Sequence, residues 1–125
     1  MIIGVGVDLV DISRLARDLA RERWEASSGV FAADEIAYCS AGGRPEQRFA
    51  ACFAAKEATL KALGTEIPDL GILREVELTS GEGKRSAIVL HHRARAIAEQ
   101  LGARHINLSL AVGKKKVGAM VILES

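Results

Sequence analysis

The chain has 125 residues, 49% hydrophobic and 26% charged, with 17 Lys and Arg against 16 Asp and Glu. That length suits one core, and a single domain over 1–125 is expected. A net charge of +1 gives no general attraction to nucleic acid, and no stretch approaches the roughly 20 apolar residues of a membrane span. The N-terminus lacks the basic region and long apolar run of a signal peptide, so a cytoplasmic location is expected. Cys39 and Cys52, the only cysteines, show no metal or redox spacing and read as reduced thiols.

Ile2, Ile3, Val5 and Val7 predict a strand over 2–8. Gly4 and Gly6 leave one flank of it bare, as a strand does where another element approaches closely. Asp8 ends the run. A helix follows over 11–24, with Asp11 as candidate N-cap. Arg14, Arg17 and Arg21 share one of its faces at three- and four-residue spacing, diluted by Asp18 and Glu22. Trp24 reads as a core or interface anchor.

A short helix over 32–40 stops before Gly42-Gly43, and a long one covers 46–63. Pro68 and Gly71 punctuate a loop, then a strand is expected over 74–80. Ser80 to Lys84 reads as a turn leading to the apolar run Ala87 to Leu90. Ala94, Ile97, Ala98 and Leu101 follow helical spacing until Gly102 stops them. Residues 105–112 and 117–124 predict a hairpin around Gly113-Lys-Lys-Lys116. Its three lysines read as keeping the tip soluble, or alternatively as gripping phosphate. His91 and His92 lack a third ligand at metal spacing, and His105 reads as structural. Without a regular βαβ alternation, the class is α+β.

The run Arg48 to Leu63 carries the most chemistry. Phe49, Phe53, Glu57 and Lys61 stand four apart and share roughly one helix face. A carboxylate following two phenylalanines points toward apolar surroundings, where a charge must be paired or hold a metal. Lys61 can pair with Glu57 one turn on. The bland alternative is a packed helix with a surface ion pair. Beside a strand ending in Asp8, Glu57 would complete a two-carboxylate oxygen site. Such a site suits Mg²⁺, which keeps several waters and takes further ligands from substrate phosphate. For Asp8 alone a turn or capping role stands as the alternative. Gly4-Val-Gly6 is not the dinucleotide fingerprint, because the third glycine is missing.

Several segments together resemble the small holo-acyl-carrier-protein synthases, the group I 4′-phosphopantetheinyl transferases. They are Ile3-Gly-Val-Gly-Val-Asp-Leu-Val10 with Arg14, Phe31-Ala-Ala-Asp-Glu35, Phe53-Ala-Ala-Lys-Glu-Ala58 with Lys61-Ala-Leu-Gly64, and Asn107-Leu-Ser-Leu110. The likeness covers nearly the whole chain. It implies the 4′-phosphopantetheinyl transferase fold, a small antiparallel sheet packed with a long central helix, assembled as a homotrimer. It implies Mg²⁺-dependent attack by an acyl-carrier-protein serine on the β-phosphate of coenzyme A, releasing 3′,5′-ADP. Asp8 and Glu57 would be the Mg²⁺ ligands and, with Lys61, the catalytic set. Lys61, Gly64, Lys84 and Ser109 would meet coenzyme A. Arg14, Arg17 and Arg21 would dock the acidic carrier protein.

The chain also departs from the family pattern. Ala32 stands where a Ser or Thr would cap a helix, and Cys52 where an Arg commonly precedes Phe-Ala-Ala-Lys-Glu. Glu66 replaces the second glycine of Gly-Thr-Gly, Arg85 replaces a proline, and Val112 replaces the histidine that the resemblance places at coenzyme A. A neutral thiol cannot do a guanidinium's work against phosphate. The alternative function is therefore a catalytically degenerate or repurposed member that binds an acyl carrier protein or acts on a carrier-bound intermediate. A generic nucleotide-binding module lacks any complete phosphate-loop motif.

Overall fold

A computed structural model describes residues 1–22, 29–66, 69–81 and 83–125. The strand β1 (Ile2–Asp11) leads directly into α1 (Ile12–Glu22). Helices α2 (Ala33–Ala41) and α3 (Pro45–Ala62) follow, then the single turn α4 (Gly71–Arg74). The chain continues as β2 (Val76–Gly81), β3 (Lys84–Leu90), α5 (His92–Leu101), β4 (His105–Val112) and β5 (Lys116–Glu124). Trp24 and Pro68 lie outside the described residues.

The strands form two antiparallel sheets, one ordered β1-β5-β4 and one made of β2 and β3. The class is α+β, as expected. Two expectations need correcting. Asp8 does not end its strand, because pairing with β5 continues to Asp11 opposite Lys116. Residues 71–74 are a helical turn, not loop or strand. Asp11 does cap α1: its Oδ1 accepts the Arg14 amide at 3.0 Å. Gly102 ends α5 at φ 79°, the left-handed conformation that glycine adopts without a Cβ penalty.

The long helix α3 packs across the β1-β5-β4 sheet, and this packing explains the two glycines of β1. A Cβ on Gly4 would collide with the carbonyl oxygen of Ala62, and one on Gly6 with that of Ala58. Ala50, Ala54, Ala55 and Ala58 are fully buried, so small residues on the helix meet bare backbone on the strand. Val117, Ala119, Val121 and Leu123 of β5 complete that inner face. Strand alternation then puts Gly4, Gly6, Asp8 and Val10 on the α3 side and Val5, Val7 and Leu9 outside. Asp8 therefore faces the helix that carries Glu57. No helix among the described residues is long and apolar enough to cross a membrane.

Candidate active site

Asp8, Glu57 and Lys61 come together where β1 passes α3. Lys61 Nζ donates to Asp8 Oδ1 at 2.9 Å and to Val7 O at 3.1 Å. The helix face drifts outward along its length: Phe49 is buried, Phe53 and Glu57 are half-buried, and Lys61 is exposed. So Glu57 does not enter the core, and Lys61 reaches across to the strand for its hydrogen bonds. Burial pushes the Glu57 carboxyl up from its usual range, and the charge and hydrogen bond of Asp8 add to this, while Lys61 opposes it. The hydrogen bond to Asp8 holds the Lys61 ammonium above its ordinary value.

Two carboxylates this close repel each other, and a cation between them relieves the cost. They line one groove of about 430 Å³ with Asp11, Asp18, Arg14, Lys116 and Phe53. Among the described residues no cluster of three or more metal-ligating side chains forms. A pair of hard oxygen donors beside an open groove is the donor chemistry of Mg²⁺, not of a closed zinc site. The residues present fit that ion.

The other expected positions fall elsewhere. Gly64, Lys84 and Ser109 do not line the groove. Gly64 sits just past α3 at φ 70°, Lys84 opens β3, and Ser109 is exposed on β4 opposite Met120. Arg14, Arg17 and Arg21 stand on the exposed side of α1, with Leu15 and Leu19 buried behind them.

A second charged pair lies in the core, away from the Glu57–Lys61 face. Lys56 and Glu35 are fully buried and paired at 2.7 Å. Lys56 Nζ also donates to Leu73 O and Val76 O. Glu35 accepts the Ala32 amide at 2.8 Å, the Leu78 amide at 2.9 Å and the Cys52 thiol at 2.9 Å. This one pair ties α2, α3, α4 and β2 together. Its sequence signal is Lys56 among Ala54, Ala55 and Ala58, a cation on the alanine face instead of the surface face.

The five departures also find places. Ala32 gives α2 no side-chain cap, and the Glu35 carboxylate on the Ala32 amide supplies the half that remains. Cys52 and Val112 line the same pocket of about 190 Å³, between α2, α3, β2, β3 and β4. Burial pushes the Cys52 thiol up, and hydrogen bonds with Cys39 and Glu35 add to this against the opposing charge of Lys56. Glu66 and Arg85 belong to neither this pocket nor the carboxylate groove.

A model of the 4′-phosphopantetheinyl transferase superfamily matches residues 4–115. The chain belongs to that family. The holo-[acyl-carrier-protein] synthase of Moorella thermoacetica is 39% identical over 120 residues, covering 96% of this chain and 92% of that one. The holo-[acyl-carrier-protein] synthase structure from Neisseria meningitidis superposes with TM-score 0.87 at 26% identity, with both chains fully covered. The ACPS–CoA complex of Chronobacterium ammoniagenes gives TM-score 0.81 at 29% identity, covering 96% and 95%. The chain is thus an enzyme of the phosphopantetheinyl transferase class. The small sheet under one long helix is the family's fold.

Proposed function

We propose that the enzyme transfers 4′-phosphopantetheine from coenzyme A to a serine of an apo acyl carrier protein, with Mg²⁺, and releases 3′,5′-ADP. The observation that carries this is that Asp8 and Glu57 line one groove with Arg14, while Lys61 is hydrogen-bonded to Asp8 beside it. The serine oxygen forms a bond to the β-phosphorus as the bond to the departing 3′,5′-ADP oxygen breaks. Such transfer needs positioning and charge neutralisation more than a covalent enzyme group. Asp8 and Glu57 would hold Mg²⁺, which when bound neutralises charge on the transferring phosphate. Lys61, exposed and held by Asp8 at the side of the groove, adds a positive charge next to the carboxylate pair. Among acceptors for the serine proton, Asp34 is exposed on α2 and does not line the groove. With Glu57 on Mg²⁺, the serine proton leaves to water in the open groove.

Lys84 and Ser109 are proposed to reach coenzyme A from a neighbouring subunit of a homotrimer, and Gly64, whose amide donates to Lys61 O, from the same subunit as Lys61. The outer face of the β1-β5-β4 sheet supports self-association. Val5, Val7 and Leu9 are 53%, 55% and 64% exposed, with Met120 beside them opposite Val7. A sheet face this apolar is a surface that partners cover. Arg14, Arg17 and Arg21 would steer the acidic carrier, acting mainly on association rate. The setting is proposed to be the cytoplasm, with the whole chain acting as one domain.

A second reading rests on Cys52 and Val112, which leave their shared pocket without the family's Arg and His. It keeps carrier docking and changes or loses the chemistry. One assay separates the two: apo acyl carrier protein, coenzyme A and Mg²⁺ with the pure enzyme, read as intact carrier mass. The proposal expects a gain of one phosphopantetheine, abolished by chelator. An unchanged mass across several apo carriers, with an active transferase in parallel, supports the repurposed reading.

A further inference from the structure

The groove that holds Asp8 and Glu57 is also lined by Lys116, which the turn before β5 brings there. The backbone fixes its place. Gly113 N donates to Lys116 O at 2.9 Å, Ile12 N donates to Lys115 O at 2.9 Å, and Gln47 Nε2 donates to Gly113 O at 2.8 Å. The turn is therefore pinned to both α1 and α3. Lys116 stands opposite Asp11 at the end of the β1–β5 ladder. Four carboxylates line the groove, yet the Lys116 ammonium pairs with none of them among the described residues. Lys61, by contrast, is already engaged by Asp8.

We propose that Lys116 is a substrate-binding residue whose ammonium takes a phosphate oxygen of coenzyme A in this groove. This rests on the phosphopantetheinyl-transfer reading and adds a residue to it. An exposed ammonium on a rigid turn, left without a partner beside carboxylates, remains available for an incoming polyanion. Lysine serves phosphate as a compact point charge and needs no bidentate geometry. Of the three hairpin lysines only Lys116 lines the groove, so Lys114 and Lys115 have no part in this contact.

The test is calorimetric binding of coenzyme A with Mg²⁺ to wild type, Lys116→Ala, Lys116→Arg and Lys114→Ala, followed by transfer kinetics. Lys116→Ala is expected to weaken coenzyme A about tenfold, the scale of one charged hydrogen bond. Lys116→Arg should keep most of the affinity, and Lys114→Ala should match wild type. In transfer, KM for coenzyme A should rise while KM for the carrier and the melting temperature hold. Equal binding by wild type and Lys116→Ala overturns the inference alone. So does an equal loss in Lys114→Ala, or a loss confined to KM for the carrier, which would assign Lys116 to docking. A wild type that binds no coenzyme A removes the transfer reading and this inference with it.

Discussion

Lys61 on α3 and Asp8 on β1, 53 residues apart, are joined at 2.9 Å. Helical spacing allows the lysine to pair with Glu57 on its own helix. The strand offers it both a carboxylate and the Val7 carbonyl instead. Because the Lys61 side chain is 55% exposed, the ion pair contributes under about 1 kcal/mol to stability. Lys61→Ala is expected to lower transfer about a hundredfold, as loss of a charge-stabilising donor does, with little change in melting temperature. The carrier-mass assay and a thermal scan check both halves.

Gly6 lies directly under the Ala58 carbonyl. Gly6→Ala forces α3 off the sheet, and overpacking of this kind costs about 3 kcal/mol. A urea midpoint should fall accordingly, whereas Gly43→Ala, with open space around its Cβ position, should leave it nearly unchanged.

The buried Lys56–Glu35 pair makes another prediction. Lys56→Met leaves the Glu35 carboxylate buried without its cation, which costs about 3–5 kcal/mol. Equilibrium denaturation should show a loss on that scale. A loss under about 1 kcal/mol would mean that water or a backbone shift compensates the carboxylate.

Arg93 carries a pH signature. It bonds Asp69 at 2.8 Å and Glu75 at 2.7 Å, and Glu75 Oε1 accepts the Arg93 and Ala94 amides at the start of α5. The Arg93 hydrogen bond holds the Asp69 carboxyl below its usual range. Burial pushes Glu75 up, but Arg93 and the two amides outweigh it and leave it lowered. A lowered folded-state pKa stabilises above the ordinary carboxylate value of about 4, and that stability is lost as pH falls through the folded value. The stability gap between wild type and Arg93→Ala should therefore be present at neutral pH and shrink in acid. A gap independent of pH would contradict the assignment.

Much of this was legible in particular residues. Gly4 and Gly6 announced a close approach, and helical spacing on α3 put Glu57 and Lys61 on one side. The Gly102 stop and the Gly113–Lys116 turn followed from residue type. What stayed hidden depends on contacts between distant segments. The alanines around Lys56 mark it as the inward-facing charge, but no local pattern names its partner Glu35, 21 positions earlier. Continuation of β1 to Asp11 depends on β5 as its partner. Cys52 and Val112 read as two separate departures, and only the packing of β4 beside α3 shows that they share a pocket. Lys116 enters the carboxylate groove for the same kind of reason, through a hairpin register that no local pattern fixes.

The Asp8–Glu57 carboxylates of this groove are proposed to carry phosphopantetheine transfer. Glu57→Gln keeps size and hydrogen bonding while removing one charge. Its rate of carrier modification across a Mg²⁺ titration, beside its thermal melt, is the most direct measurement. Transfer should fall at least about a hundredfold at every Mg²⁺ concentration reached, with the melting temperature held. Wild-type transfer by a folded Glu57→Gln enzyme would contradict the account.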